Sequence, residues 1–127
     1  MIAYRTQQEL EAGLAKWQRI LHLQDWEITV ALVPQATWDD RLQCGDSQVR
    51  QNYAGADIRL ATFETLDLVG CSTQADMERV LVHELLHCVF RSGRLWSDKA
   101  RNHELNHYEH AIEQTARALV ELDRRAA

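Results

Sequence analysis

Residues 80–90 read Val80-Leu81-Val82-His83-Glu84-Leu85-Leu86-His87-Cys88-Val89-Phe90, and they decide the fold of this chain. Apart from two histidines and one glutamate, every position is apolar, and a helix that is apolar on nearly all sides is covered by other elements. Upstream, Thr73 and Asp76 match a capping box, which marks the start of a helix, and Ser92-Gly93 provides a stop. We therefore predict a central, buried helix over about residues 74–91.

The remaining segments predict the other elements of a small α+β domain. Apolar residues at helical spacing mark amphipathic helices, and alternating apolar residues rich in β-branched types mark strands. In chain order, the pattern predicts a helix over 5–23, a strand over 26–33, a turn at Gly45-Asp46-Ser47, a weaker strand at about 48–53, a strand over 56–61 and a helix over about 102–124. The expected fold is an N-terminal helix, a sheet of two to four strands, the buried helix and a C-terminal helix.

The length and the charge of the chain limit its organisation and its partners. A chain of 127 residues without repeats or linkers is expected to form a single domain over 1–127. The formal net charge of −5 argues against nucleic acid as a partner, because phosphate binding needs clustered lysine and arginine. The first residues lack the apolar core of a signal peptide, and no apolar run reaches the length of a membrane span. We therefore expect a cytoplasmic protein that does not associate with membranes.

The cysteines support the same location. The chain contains three of them, Cys44, Cys71 and Cys88. An odd number without a C-x-x-C pair argues against a disulfide framework. We expect Cys88, which lies within the apolar run, to pack as a small hydrophobic residue.

His83 and His87 lie four residues apart, so on a helix they share one face at a distance of about 5–6 Å. Two imidazoles at that spacing can bind one Zn²⁺ at about 2.0–2.1 Å each. Glu84 is turned about 100° from His83 around the helix axis, so it does not join them as a ligand. It can instead take a proton from a water molecule that the metal activates and pass it to a leaving amine. The H-E-x-x-H pattern therefore predicts zinc ligands at His83 and His87 and a general base at Glu84.

A catalytic zinc site also needs a third protein ligand and one open position. The final helix offers the candidates His103, Glu104, His107, Glu109, His110 and Glu113. Its buried stripe contains Leu105, Ile112, Ala116 and Leu119. Glu109 falls within this stripe, Glu113 borders it, and His107 and His110 point away from it. Because a buried carboxylate needs a partner such as a metal, we predict Glu109 as the third ligand, followed by Glu113 and then Glu104.

Two stretches of the chain resemble zincin metallopeptidases. The active helix of that class is similar to the segment Val82-His83-Glu84-Leu85-Leu86-His87. The second helix of the ImmA/IrrE-type group is similar to the segment Glu109-His110-Ala111-Ile112-Glu113-Gln114-Thr115-Ala116-Arg117-Ala118-Leu119. In size and in the order of its elements, the chain most resembles small phage- and prophage-encoded metallopeptidases. The resemblance covers residues 75–127 and, by pattern only, 25–61.

This resemblance implies a hydrolase of zincin-like fold, a zinc peptidase with Glu109 as a ligand. It also implies a strand, at 56–61, along the edge of the substrate cleft. The chain departs from two related groups. The downstream histidine-glycine signature of SprT-like proteins is absent, and Cys88-Val89-Phe90 follows His87 where metzincins have their glycine and third histidine.

Two other interpretations stay open at this point. A zinc-binding protein of the same fold with little or no hydrolytic activity would serve as an interaction or regulatory module, although Glu84 has no use at a purely structural metal. A helical core protein without metal would pair its histidines by hydrogen bonds. An enzyme should also have an oxyanion-stabilising residue, for which Tyr53, Tyr108 and His107 are candidates. The sequence identifies neither the peptide or protein substrate nor the oligomeric state.

Overall fold

The structure, a computed structural model, describes residues 2–34, 44–50, 52–65, 76–90 and 102–126, and it describes residues 102–107 as helical backbone. In chain order these residues form α1 (Gln7–Ile20), β1 (Glu27–Val33), β2 (Gly45–Val49), β3 (Gly55–Ala61), α2 (Met77–Phe90) and α3 (Asn102–Ala126). A short 3₁₀ turn, Phe63–Thr65, follows β3. The predicted α+β class, with an N-terminal helix, a small sheet and two further helices, is confirmed.

Helix α1 has a clear signal at each end. The Thr6 hydroxyl caps the first turn by accepting a hydrogen bond from the Glu9 amide at 3.1 Å. The helix ends earlier than predicted because His22 adopts a left-handed backbone conformation, with φ of 58°. The Leu23 amide then donates to the Gln18 carbonyl at 2.7 Å, which closes a Schellman-type end.

The three strands form one sheet in the order β1-β3-β2. Strand β1 runs parallel to β3, and β2 runs antiparallel to it. The strand at 56–61, which the resemblance places along the substrate cleft, is the central strand and has a partner strand on each side. An alternating apolar pattern shows that a strand is partly buried, but it does not distinguish a central strand from an edge strand. Within the described residues, β2 pairs only with β3 and forms an edge.

Strand β2 corrects another prediction. The segment Gly45-Asp46-Ser47 belongs to this strand, so its assignment as a turn is wrong, and the weaker strand begins at Gly45 rather than at about 48. The glycine allows close packing instead, because a Cβ at residue 45 would lie 2.7 Å from Val80 Cγ1 of α2. Asp46 forms an ion pair with Arg59 of β3. Residue types that favour turns thus form a strand because β3 supplies the pairing and α2 supplies the packing.

Helix α2 is the centre of the fold, as predicted. It contacts α1, α3, β2 and β3, and residues 77–88 are buried with the exception of His83, which is partly exposed. Asp76 directly precedes the helix and accepts a hydrogen bond from the Arg79 amide at 3.4 Å. Asp76 therefore occupies the cap position that the capping-box pattern predicts for Thr73, a residue outside the described part of the chain.

A polar cluster around the buried Glu78 ties the three helices together. We call it the Glu78 cluster, and it consists of Lys16, Trp17, Asp76, Glu78 and Arg124. The Glu78 carboxylate accepts hydrogen bonds from Trp17 Nε1 at 2.9 Å, Lys16 Nζ at 3.1 Å and Arg124 Nη2 at 3.0 Å. Arg124 also binds Asp76 at 2.8 Å. These bonds hold the beginning of α2 against α1 and α3, and so they position the rest of the helix.

Cys44 is disulfide-bonded, so the sequence argument against disulfides is wrong at this residue. An odd number of cysteines leaves one thiol unpaired but does not prevent the others from pairing. Cys88 is free and buried, and burial raises the pKa of its thiol to about 12. It therefore packs as a small hydrophobic residue, as predicted.

In the described part of the chain, no helix combines the length and the hydrophobicity needed to cross a membrane.

Candidate metal centre

His83 and His87 lie on the face of α2 that packs against α3, and Glu109 of α3 lies opposite them. One oxygen of the Glu109 carboxylate lies 2.9 Å from His83 Nε2, and the other lies 2.9 Å from His87 Nε2. The two ring centroids are 5.3 Å apart, as the spacing of four residues requires. One possible ligand atom from each residue lies within 4.8 Å of the other two. We call these three residues the His-His-Glu group.

The His-His-Glu group has the residue types and the mutual proximity that could hold one metal ion. The two separations of 2.9 Å join the histidines to different oxygens of the Glu109 carboxylate and are hydrogen-bond distances. Two neutral imidazoles and one carboxylate are also a donor set of catalytic zinc sites, which keep one position open. The Glu109 side chain is 37% exposed, so the group is accessible from its α3 side.

The charges of the group favour an ionised Glu109. Burial raises the pKa of this carboxyl, but the hydrogen bonds with His83 and His87 outweigh burial and lower the pKa to about 2. For His83, burial lowers the pKa, whereas hydrogen bonds with Glu109 and Glu113 raise it to about 10. The carboxylate is therefore ready to bind a cation at neutral pH. A metal ion would take the place of imidazole protons, since histidine binds metals in its neutral form.

Glu113 holds His83 from the other side of its ring. Its Oε1 lies 3.0 Å from His83 Nδ1, and its Oε2 accepts hydrogen bonds from Arg79 and Arg117. A carboxylate at the second ring nitrogen fixes the tautomer and the orientation of a metal-binding histidine. The second-ranked ligand candidate thus lies where it orients His83 and outside the His-His-Glu group. The third-ranked candidate, Glu104, lies within 102–107, where only the backbone is described.

Glu84 lies on a different side of α2 and contacts the edge strand β2. The residue is only 6% exposed, and its carboxylate accepts a hydrogen bond from the Ser47 hydroxyl. A Cβ at residue 45 would lie 3.3 Å from Glu84 Oε2, so the glycine at that position leaves room for the carboxylate. Burial raises the pKa of Glu84, and the nearby histidines oppose this change. Glu84 is therefore close to the His-His-Glu group without belonging to it.

Three residues contact this site without being singled out by the sequence analysis. Two of them follow the helical spacing that identifies the histidines, because Arg79 precedes His83 by four residues and Arg117 follows Glu113 by four. That spacing is a signal that would have found them. The third, Ser47, has no such signal, because its contact with the Glu84 carboxylate depends on how β2 packs against α2.

The three candidates for oxyanion stabilisation differ in position. The Tyr108 hydroxyl donates to the Phe90 carbonyl at 3.4 Å, at the end of α2. Tyr53 lies just before β3, and its role as an oxyanion-stabilising residue stays a prediction. His107 lies within the residues described as backbone.

Comparisons with family models, with curated proteins and with solved structures gave no match for this chain. Its resemblance to zincin metallopeptidases therefore depends on the two sequence stretches that carry it.

Proposed function

We propose that this protein is a zinc-dependent peptidase with a zincin-like fold, in which His83, His87 and Glu109 bind the metal and Glu84 is the general base. The observation that carries the proposal is the convergence of the His-His-Glu group from two separate helices. Burying imidazoles and a carboxylate costs free energy unless they pair with one another or bind an ion. A donor set of this composition, beside a buried glutamate on the same helix, fits metal-assisted hydrolysis of an amide bond.

The chemistry is divided between the metal and the protein. Zinc bound to such a donor set supplies a Lewis acid and lowers the pKa of water to about 7. Glu84 accepts the proton of the attacking water and passes it to the nitrogen of the leaving amine as the C–N bond breaks. The hydrogen bond from Ser47 keeps the carboxylate of this base in one place. Glu113, itself held by Arg79, keeps the His83 ring in a fixed orientation.

The edge strand β2 supports a peptide or protein as the substrate. Within the described residues, its outer edge pairs with no other strand, and an extended peptide can bind such an edge through backbone hydrogen bonds. Gly45 and Ser47 of this strand contact Glu84, so a peptide bound there lies close to the general base. In this proposal β2 replaces the strand at 56–61 as the strand along the substrate cleft.

A second candidate function is a zinc-binding protein of the same fold with little or no hydrolytic activity, which acts through interactions or regulation. The observation that favours it is the hydrogen bond between Glu84 and Ser47, which turns the carboxylate towards β2. The two candidates share the metal but differ in the use of Glu84, and this difference can be measured.

The test combines metal analysis with hydrolysis of a mixture of fluorogenic peptides. Protein purified without chelators and supplied with zinc should bind one Zn²⁺ per chain and cleave peptides in the mixture. Glu84→Gln should keep the zinc and lower hydrolysis by about 10²–10⁴-fold, the usual contribution of a positioned acid–base group. Glu121→Gln, at an exposed position of α3, should change neither property. A chain that binds no zinc overturns both candidates, and a chain that binds zinc without cleaving any peptide supports the second.

A further inference from the structure

An open cavity lined mainly by charged residues lies on the surface formed by the beginning of α2 and the C-terminal half of α3. Its volume is about 380 Å³. We call it the arginine pocket, because its lining includes four arginines with two acidic residues, namely Arg79, Arg117, Arg124, Arg125, Asp76 and Glu121. No step of the proposed hydrolysis uses this cavity.

Arg79 is the least exposed of these arginines. Its side chain is 11% exposed, whereas those of Arg117 and Arg124 are 58% and 37% exposed. A guanidinium group has five N–H donors, and Arg79 uses only Nη1, in its bond to Glu113. Its other side-chain donors have no hydrogen-bond acceptor among the described residues. Because leaving a sequestered donor without an acceptor is costly, Arg79 is suited to a ligand that supplies oxygen atoms.

The neighbouring Arg117 and Arg124 also have side-chain N–H donors beyond those that bind their acidic partners. Arg117 uses Nε in its bond to Glu113, and Arg124 uses Nη2 in its bonds to Asp76 and Glu78. These acidic partners balance much of the positive charge around the pocket. Affinity for an anion would therefore come from directed N–H donors on several sides rather than from a large net charge.

We propose that the arginine pocket binds a phosphate group, either as free phosphate or as a phosphate monoester. Planar guanidinium groups match the oxygens of phosphate and carboxylate and can bind two of them at once. A tetrahedral phosphate group has enough oxygens to contact Arg79 and its neighbours simultaneously, whereas a carboxylate has only two. This binding function goes beyond the proposed peptidase activity and does not depend on zinc.

The experiment uses the full chain without metal, because zinc itself binds phosphate. Inorganic phosphate, O-phosphoserine and acetate are titrated separately at constant ionic strength, and the arginine Nε–H signals are followed by NMR. Phosphate should shift the signals of Arg79 and Arg117 and leave unchanged that of Arg50, which directly follows β2. We expect acetate to bind at least tenfold more weakly than phosphate. The tighter of the two phosphate ligands identifies free phosphate or a monoester as the source.

Substitutions locate the binding to this pocket. Arg79→Gln and the more exposed Arg117→Gln should each weaken phosphate binding about tenfold, since each removes hydrogen bonds to a charged ligand. Arg50→Gln removes the same charge from an arginine paired with Asp57 on the sheet and should leave phosphate affinity unchanged. Three results would overturn the proposal. They are an equal phosphate affinity in all three variants, acetate binding as tight as that of phosphate, or no saturable shift of the Arg79 and Arg117 signals. Because no metal is present, such a failure says nothing against the zinc site.

Discussion

Helix α2 contributes to two polar clusters that are constructed in different ways. In the Glu78 cluster, carboxylates are bound by Arg124 and Lys16, whose positive charges are permanent at neutral pH, and by a tryptophan N–H. In the His-His-Glu group, the carboxylate of Glu109 faces two imidazoles, whose charge depends on protonation or on a metal. The first cluster is complete with the protein's own residues, whereas the second has the donor set for an added ion. We therefore propose a structural role for the first and a chemical role for the second.

The largest expected effect follows from removing the carboxylate of the His-His-Glu group. Glu109→Ala should weaken zinc binding about a thousandfold, because zinc binding free energies of about 10–16 kcal/mol are shared among three or four ligands. Competition with a chromophoric chelator measures this affinity. The control is His110→Ala, which changes the exposed neighbour of Glu109 and should leave the affinity unchanged. Loss of zinc in the control with retention in Glu109→Ala would show that the ligand assignment is wrong.

The next effect concerns the Glu78 cluster and should appear in stability instead of metal binding. Glu78→Gln should lower the free energy of unfolding by about 1.5–3 kcal/mol, because the buried, charged acceptor of the hydrogen bonds from Trp17, Lys16 and Arg124 becomes a neutral amide. Urea denaturation at neutral pH measures the loss. Glu121→Gln breaks an exposed pair with Arg125 and should cost under about 0.5 kcal/mol. If Glu78→Gln instead loses zinc at unchanged stability, the contrast between the two clusters fails.

A smaller effect is expected from the residue that orients His83. Glu113→Gln should lower zinc affinity about 10–100-fold, the usual result of altering a group that holds a metal-binding histidine. The same chelator competition applies, with Glu121→Gln as the matched control on α3. Unchanged zinc affinity in Glu113→Gln would mean that His83 is oriented by packing alone.

The smallest effect is a change in how stability depends on pH. Burial raises the pKa of Asp76 and Glu78, but bonds to Arg124 and neighbouring donors outweigh it and hold each pKa below its ordinary value of 3.8 or 4.5. Because the folded pKa is the lower one, this stabilisation is present above the ordinary values and is lost as the pH falls through the lowered pKa. Urea midpoints of the metal-free protein should therefore fall with acid, and Glu78→Gln should reduce that fall. An identical acid dependence in the variant would contradict the assignment.

The secondary structure shows which elements of this protein can be predicted from sequence patterns and which cannot. The periodicity places α1, β1, β3, α2 and α3 close to their observed bounds, because each pattern arises within one element. Strand β2 is the exception. Its first residues, Gly45-Asp46-Ser47, are of types that favour a turn. They lie in a strand because β2 pairs with β3 and because Gly45 packs closely against Val80 of α2. Sequence alone also does not tell that β3 is central, because the partners of a strand lie elsewhere in the chain.

The candidate site divides in the same way. The sequence by itself determines that His83 and His87 share one face and that Glu84 is turned away from it, since a helix has a fixed rotation per residue. The tertiary structure alone decides that Glu109 spans both imidazoles while Glu113 reaches the opposite nitrogen of His83. It also brings Ser47 to Glu84. These contacts depend on the distance and the rotation between packed elements, which are set by how the side chains of the whole core fit together.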